Sequence, residues 1–381
     1  MNKKIDIFMF IDALGWEVIK DRHFLEEELP YRHPVEMQFG YSSTAIPTIL
    51  SGKQPVDHKH LNFFYYDPDN SPFKIFKYLS FLPEVIFGNW RVRTRLSRLI
   101  AKWYGYTGYF SLYSVPFKRL PYFNYIEKKD VFVPGGLAPI SNLADELEKR
   151  GVPYHISNWR LSESDNIQIA IDEINKGGIQ FGFIYTAAMD ALLHKVTKAG
   201  KDIDIKLQWY SEQVKKILAA ANENYDEVSF TIISDHGMTT LTEAIDVQSM
   251  VESVPYEWGV DYTSFHDSTL GRYWFHNDDA RDAIMSKLEL APHSRILSEE
   301  EKVKYGINFP DNMYGEEILL MDPGYQIAPC DLGAKPLAGM HGFDPEDADS
   351  YACLLSSVRP STLPHHVKDY FRVMIEKIGI S

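Results

Sequence analysis

Strand-like apolar runs alternate with segments of helical spacing along this chain, and that alternation limits its fold more than any other feature. The run KIDIFMFID, residues 4–12, is almost continuously apolar, as expected of a parallel strand covered on both faces. FGFIYTA (181–187) and EVSFTIIS (227–234) have the same character, and helical segments separate them. The pattern predicts an α/β fold, a three-layer sandwich with a mostly parallel central sheet.

Several individual elements follow from spacing and capping residues. Residues 16–29 have helical periodicity, and residues 35–41 resemble a strand. Residues 141–151 begin with a serine suited to a helix N-cap and end with glycine, which predicts a short capped helix. A long helix is expected at about 204–222.

Composition excludes some classes of protein and sets the expected location. The net charge of −14 argues against a nucleic-acid-binding protein. Only two cysteines are present, which indicates a reducing compartment rather than a disulfide framework. No run approaches the roughly 18 apolar residues of a membrane span, and MNKK leads directly into a strand without a secretion signal. We therefore expect a cytoplasmic protein.

Two segments interrupt the strand–helix alternation, so we expect one main domain over residues 1–381 with two insertions. Residues 256–330 mix short strands with one helix and predict a small α+β cap. Residues 73–130 contain eleven Lys and Arg against three Asp and Glu, and sixteen of these 58 residues are aromatic. This second segment predicts a helical hairpin whose arginines face water, or a lid or docking surface for a membrane or an amphipathic phosphorylated substrate.

Acids and histidines follow the ends of several predicted strands. In open α/β sheets, sites form beyond the carboxyl ends of the strands, so these side chains are expected to converge. A cluster of carboxylates without cations would be repulsive, and mixed carboxylate and imidazole donors suit zinc, with manganese or iron also compatible. The alternative is a set of unrelated caps and salt bridges. The candidate metal ligands are Asp12, Asp190, His194, Asp235, His236 and His341.

A nucleophile for such a site is offered by FGYSSTAIPTILSG, residues 39–52. Ser42 opens a helix-like stretch, where backbone N–H groups favour an anion. Ser43 is the rival nucleophile, and spacing alone does not exclude it. A plain helix cap is the alternative role, and Pro47 fits poorly inside a regular helix.

The order of these motifs resembles the alkaline phosphatase superfamily, and within it the type I phosphodiesterase/nucleotide pyrophosphatase family. The resemblance runs from residue 4 to about residue 358 and implies an alkaline-phosphatase-like fold and a two-metal hydrolase. Counting back from Gly52, it favours Ser42 over Ser43 as the nucleophile. It implies two divalent ions, most simply Zn²⁺, the first held by Asp12, Asp235, His236 and the Ser42 oxygen and the second by Asp190, His194 and His341.

The resemblance also implies a covalent phospho-serine intermediate and a phosphate-binding amide. Asn62 matches the position of that amide and would bind a phosphate oxygen, although a turn or capping role is the alternative. His58 matches a histidine that is structural in the family. The diesterase branch usually carries threonine and then proline where this chain has Ser42 and Thr44. A phosphomonoesterase, phosphonate hydrolase or phosphoryl transferase therefore remains open, as does a non-catalytic membrane-surface protein, whereas a sulfatase is disfavoured.

The substrate is the least determined part of this interpretation. HDSTLGRYWF, residues 266–275, contains Arg272 and Trp274, which could contact a phosphate and a base or ring. The alternative is a strand of the cap with one exposed arginine. A small phosphorylated substrate, nucleotide-like or resembling a lipid headgroup, is expected, and the oligomeric state stays open.

Overall fold

A computed structural model of the chain describes residues 3–79 and 89–378. The strands are β1 Lys4–Ile11, β2 Tyr31–Val35, β3 Phe64–Tyr66, β4 Phe123–Tyr125, β5 Tyr154–Ile156, β6 Phe181–Thr186, β7 Glu227–Ile233, β8 Thr239–Thr240, β9 Glu243–Ile245, β10 Tyr262–His266, β11 Leu270–Phe275, β12 Ser294–Ile296, β13 Glu317–Met321, β14 Tyr325–Ile327, β15 Gly339–Met340 and β16 Ala352–Ser356. The α-helices are α1 Trp16–Ile19, α2 Ser42–Ser51, α3 Pro55–His58, α4 Trp90–Tyr104, α5 Leu143–Lys149, α6 Glu163–Asn175, α7 Ala188–Leu193, α8 Lys201–Asn224, α9 Val247–Glu252, α10 Asp278–Leu288, α11 Glu299–Lys304 and α12 Asp369–Ile378.

The chain divides into two structural units. Unit 1 comprises residues 1–53, 131–240 and 345–381, and unit 2 comprises residues 54–130 and 241–344. Both predicted insertions, 73–130 and 256–330, therefore fall within unit 2.

Unit 1 contains the central sheet, with strand order β2-β16-β7-β1-β6-β5. The strands β5, β6, β1 and β7 run parallel, and β16 is antiparallel to both of its neighbours. The mostly parallel sheet predicted from the apolar runs is thus confirmed.

Side chains of β1 alternate between the two faces of this sheet, and both faces are covered. Ile5, Ile7, Met9 and Ile11 enter one apolar cluster with residues of α6 and α8. Phe8 and Phe10 enter a second cluster with residues of α2, α5 and α12. Because each face is buried, the strand can be apolar at almost every position, which is the pattern seen in the sequence.

Three local predictions in unit 1 are wrong, two because of backbone conformation and one because a different side chain caps the helix. Only α1, Trp16–Ile19, forms within 16–29, and the positive φ of 53° at Leu25 excludes one continuous helix across this range. The predicted strand at 35–41 lies earlier, over β2, and Gly40 with a φ of 117° turns the chain. The cap of α5 is Asn142 rather than serine, since its side chain accepts a hydrogen bond from the Asp145 amide at 3.0 Å. The long helix is confirmed as α8.

Unit 2 holds a four-stranded antiparallel sheet of order β10-β11-β13-β12 and two small two-stranded sheets, β3 with β4 and β9 with β14. Of the hairpin predicted within 73–130, the described residues contain one α-helix, α4, and residues 80–88 lie outside the described part of the chain. An aromatic cluster that includes Phe64, Phe73, Phe123 and Phe265 forms the core here.

The cysteines and the helices were each compared with the expectations from composition. Cys330 and Cys353 are buried free thiols. In residues 3–79 and 89–378, no helix combines the length and apolar character that a membrane crossing requires.

Candidate active site

Three parallel strands of unit 1 end at one edge of the central sheet, and each is followed by a predicted ligand. Ile11 of β1 pairs with Thr186 of β6, and Phe10 pairs with Ile233 of β7, so the three carboxyl ends are level. Asp12 directly follows β1 and Asp235 follows β7. Because the strands are parallel and in register, the acidic residues that follow them lie at the same edge of the sheet.

The turn after β7 depends on Gly237. A Cβ atom there would lie 2.1 Å from the carbonyl oxygen of Asp349, a distance that no side chain tolerates. Glycine thus lets the chain turn immediately after His236, which holds two consecutive polar side chains at the sheet edge.

Asp12, Asp235 and His236 form a buried cluster whose ligand atoms all lie within 4.8 Å of one another. The Nε2 atom of His236 is 3.2 Å from Oδ2 of Asp235 and 3.7 Å from Oδ1 of Asp12. Oδ1 of Asp235 accepts hydrogen bonds from the amides of Ala13 and His236, each at 3.1 Å. These amides fix the carboxylate and leave Oδ2 directed at the cluster.

The cluster is chemically suited to a divalent cation. Oδ2 of Asp235 is buried and accepts no hydrogen bond from the described residues. Nδ1 of His236 lies 2.9 Å from the Gly237 carbonyl, which can only accept, so in the neutral ring the lone pair is on Nε2, facing the carboxylates. Carboxylate oxygens with an imidazole nitrogen are a donor set that binds zinc, manganese or iron.

Burial and neighbouring negative charge together shift the pKa values of Asp12 and His236. Burial raises the pKa of Asp12 well above its usual value, and the negative charges of Asp235 and Asp190 raise it further. Burial lowers the pKa of His236, but the negative charges of Asp235 and Asp190 outweigh this, so the net shift of the pKa is upward. Neighbouring negative charge contributes to both pKa shifts, and a bound cation would neutralise that charge.

A second pair of predicted ligands lies on α7. Asp190 is in the helix and His194 caps it, so four-residue spacing places them on one face. Oδ1 of Asp190 is 3.3 Å from Nε2 of His194. His341 follows β15 in unit 2, and its membership of the ligand set stays a prediction from the resemblance.

The two candidate nucleophiles, Ser42 and Ser43, have different surroundings in the structure. The Oγ atom of Ser42 is 3.0 Å from Nε2 of His236 and 3.5 Å from Oδ1 of Asp12. The Oγ atom of Ser43 is buried and makes no hydrogen bond to a described residue. Tyr41 is the N-cap of α2, so Ser42 is its first helical residue and its side chain is not used as a cap. The geometry therefore favours Ser42. Pro47 is accommodated within α2.

In unit 2, Asn62 is held by a buried network. Its Nδ2 atom donates to Oδ1 of Asp267 at 2.9 Å, and its Oδ1 atom accepts from the Phe63 amide at 2.5 Å. Burial raises the pKa of Asp267 to about 6 although Arg272 lowers it, so near neutral pH the carboxylate only accepts. An acceptor-only carboxylate requires a donor, so the Nδ2 atom of Asn62, not its oxygen, faces Asp267. The second hydrogen on Nδ2 makes no hydrogen bond to the described residues.

Arg272 and Trp274 require a correction. Both are buried, and all three guanidinium nitrogens of Arg272 donate, two to Asp267 and one to the carbonyl of Phe64. The indole of Trp274 donates to the Asn312 carbonyl at 2.6 Å. These side chains build the core of unit 2, and neither the predicted substrate contact nor the alternative of an exposed arginine holds.

Asp267 is the residue that the sequence interpretation missed. It immediately follows β10 in the tight connection to β11, five residues before Arg272. The available signal was an acid and an arginine five residues apart within a run of apolar and aromatic residues, since a buried charge requires a partner.

Comparison with known proteins supports the fold and the family. The family model for type I phosphodiesterase/nucleotide pyrophosphatase matches residues 8–344. Human ectonucleotide pyrophosphatase/phosphodiesterase 5 has a similar structure, with a TM-score of 0.68, 13% identity and coverage of 99% of this chain and 95% of that one. The murine protein, as an inactive variant in complex with AMP, gives a TM-score of 0.67 at 13% identity, covering 100% and 96%. These likenesses confirm the expected alkaline-phosphatase-like fold. No curated protein matches the sequence.

Proposed function

Because this chain belongs to the type I phosphodiesterase/nucleotide pyrophosphatase family of hydrolases, we propose that it cleaves a phosphodiester or pyrophosphate bond with Ser42 as nucleophile and two divalent metal ions as cofactors. The observation that carries the proposal is the position of the Ser42 Oγ atom, 3.0 Å from His236 and 3.5 Å from Asp12. A hydroxyl beside a buried, mutually repelling set of metal-type donors is suited to activation.

The residues that would hold the ions follow the resemblance. Zn²⁺ suits these donors, and Mn²⁺ and iron are compatible. When bound, the ions would lower the pKa of the Ser42 hydroxyl and of the attacking water and offset the charge of the phosphoryl oxygens. The first ion would be held by Asp12, Asp235, His236 and the Ser42 oxygen, and the second by Asp190, His194 and His341.

The reaction proceeds in two steps at phosphorus. The Ser42 oxygen forms a bond to phosphorus as the bond to the leaving oxygen breaks, and the hydroxyl proton passes to water. A water oxygen then bonds to phosphorus as the bond to Ser42 breaks, which restores the hydroxyl and releases the phosphorylated product. The free hydrogen of the Asn62 amide donates to a phosphoryl oxygen, where added negative charge makes this bond stronger.

Asp267 orients Asn62 for that donation. Its carboxylate takes one hydrogen of the Asn62 amide and is itself fixed by two donors of Arg272, at 2.8 and 3.3 Å. Because both its nitrogen and its oxygen are hydrogen-bonded, the Asn62 amide cannot turn its oxygen toward a phosphate. That orientation would be unfavourable, since the amide oxygen and the phosphate oxygens repel each other. Asp267 is therefore a positioning residue rather than a catalytic one.

The substrate proposed is small and nucleotide-like. Support comes from the murine relative, whose structure contains AMP.

A location in the cytoplasm is also proposed, supported by the two buried free thiols. Cell fractionation with antibody detection tests the location directly.

Hydrolysis of bis-p-nitrophenyl phosphate against p-nitrophenyl phosphate, by protein supplied with Zn²⁺ or Mn²⁺, tests the function. Preference for the diester, lost on chelation and in Ser42→Ala, is the expected result. Preference for the monoester would indicate that the protein is a phosphomonoesterase. A Ser42→Ala variant that keeps its activity would refute the proposed nucleophile.

A further inference from the structure

The helix α4 presents a row of four basic side chains to solvent. Arg91, Arg95, Arg98 and Lys102 are spaced by four, three and four residues, which places them on one helical face, and all four are exposed. Such a row covers about three turns of the helix.

The opposite face of α4 is anchored to unit 2, so the direction of the row is determined. The guanidinium of Arg93 donates to the Val115 carbonyl at 2.5 Å and lies 4.5 Å from the ring centroid of Phe117. The Oγ atom of Ser97 accepts from the Leu112 amide at 3.0 Å. These contacts rotate the helix so that the basic row points outward.

The row has no acidic counterpart in the described residues. None of its four members forms an ion pair with a carboxylate there, and the sequence between Glu84 and Glu127 contains no Asp or Glu. The segment 73–130 has eleven basic against three acidic residues in a chain whose net charge is −14. An unneutralised basic strip on an acidic protein is complementary to an anionic surface.

Large apolar side chains flank the same strip. Trp103 is 85% exposed, Trp90 68% and Leu99 65%. Leu99 and Trp103 are four residues apart and adjoin the basic row. Their exposure to water is unfavourable, whereas an indole at headgroup level and a leucine at the acyl boundary are stabilised in a lipid interface. Nucleic acid or an acidic peptide would satisfy the cations alone, so the combination favours a membrane.

We propose that α4 docks along the surface of a membrane containing anionic phospholipids, with Arg91, Arg95, Arg98 and Lys102 on the headgroups and Leu99 and Trp103 inserted beside them. The sequence outside residues 73–130 carries the excess of negative charge and is repelled by the same surface, which favours contact through α4. This proposal is independent of the proposed hydrolase activity.

Sedimentation with vesicles of phosphatidylcholine, with or without phosphatidylglycerol, tests the docking with the full chain. Binding is expected only to the vesicles that contain phosphatidylglycerol, and it should weaken as salt is added. Each basic residue near such a surface strengthens binding by about fivefold, so replacing all four with Gln should weaken binding by roughly 600-fold if the effects multiply, and a loss below ~30-fold would contradict the docking mode. The control variant replaces Lys149, Lys176, Lys215 and Lys216, exposed residues of unit 1, with Gln and makes the same change in net charge.

A second pair of variants tests the apolar part. Leu99→Ala with Trp103→Ala should weaken binding by at least ~10-fold, because each removes a large apolar side chain from the interface. Ile205→Ala with Leu290→Ala removes exposed apolar side chains elsewhere and should have no effect. Absence of vesicle binding, equal loss in the lysine control, or full binding by the Leu99 and Trp103 variant would overturn the proposal. Circular dichroism confirms that each variant is folded.

Discussion

The Oγ atom of Ser42 lies 3.0 Å from the Nε2 atom of His236, although 194 residues separate them in the chain. Ser42 begins α2, and His236 follows β7. The contact therefore joins a helix packed on the central sheet to the loop that follows one of its strands. It places a hydroxyl against a buried imidazole and, at 3.5 Å, the Asp12 carboxylate.

Ser42→Ala should abolish diester hydrolysis, with a fall in kcat of at least ~1,000-fold, because the attacking oxygen is removed. Ser43→Ala is the matched control. The Ser43 hydroxyl is buried without a hydrogen bond to the described residues, so its removal should leave kcat within about threefold and stability equal or higher. Steady-state kinetics and thermal melts measure both. The reverse pattern would assign the reaction to Ser43.

Asp235→Asn should change stability in opposite directions with and without metal. In chelated protein, removing one of two close buried carboxylates relieves repulsion with Asp12, and the two backbone donors to Oδ1 are retained. We expect a gain of about 1–3 kcal/mol in the free energy of unfolding. In excess Zn²⁺ the wild type should become the more stable protein, since it binds the ion.

Calorimetric melts with chelator and with Zn²⁺, together with measured metal content, give the comparison. Equal metal content in the two proteins, or a loss of stability in the chelated variant, would contradict the assignment of Asp235 as a ligand.

Asp267→Asn should lower kcat by about tenfold if the carboxylate orients Asn62, because the amide then has freedom to turn. The same change made in Asn62→Ala should have little further effect, whereas a general structural defect would reduce activity in both backgrounds. A double-mutant cycle on kcat measures this coupling.

The buried charge of Arg272 complicates this test, since Asp267→Asn leaves it unpaired at a cost of about 3–5 kcal/mol. Asp267→Asn with Arg272→Met removes both charges and should recover most of the lost stability. Activity should stay low in that double variant. Recovery of kcat together with stability would show that Asp267 acts only through the fold.

The stability of the protein should depend on pH through His60. Burial lowers the pKa of His60 to about 4, while a donor bond from its Nδ1 atom to the His58 carbonyl holds the ring. In the unfolded chain the ring titrates near its usual 6.5, so the unfolded chain binds one more proton between these values. Stability should therefore fall as pH drops from 6.5 toward 4, by about 3 kcal/mol from this residue.

His60→Asn keeps a side-chain donor near the Nδ1 position and cannot become charged. Denaturant unfolding measured across this pH range should show a slope that is smaller by ~1.4 kcal/mol per pH unit. An unchanged slope would mean that His60 is not buried in its neutral form.

Local patterns in the sequence determined the main strands of this protein and the positions of the acidic residues that follow them. Apolar runs such as residues 4–12 predicted strands covered on both faces, and acids after those strands predicted where Asp12 and Asp235 would lie. These features depend on burial and on the common direction of parallel strands, both of which leave a periodic record in the sequence.

Tertiary structure decided the features that depend on direction and distance. Adjacent serines are equivalent in the sequence, but the rotation of α2 brings Ser42 and not Ser43 to His236. Arg272 resembles a surface residue in the sequence, whereas the fold buries it and engages its three donor nitrogens. Asp267 contacts Asn62 only because the fold brings the two together, and the conformation of Leu25 likewise excludes the continuous helix that periodicity predicted over 16–29. In each case the outcome depends on which neighbours long-range folding supplies, and no local pattern records them.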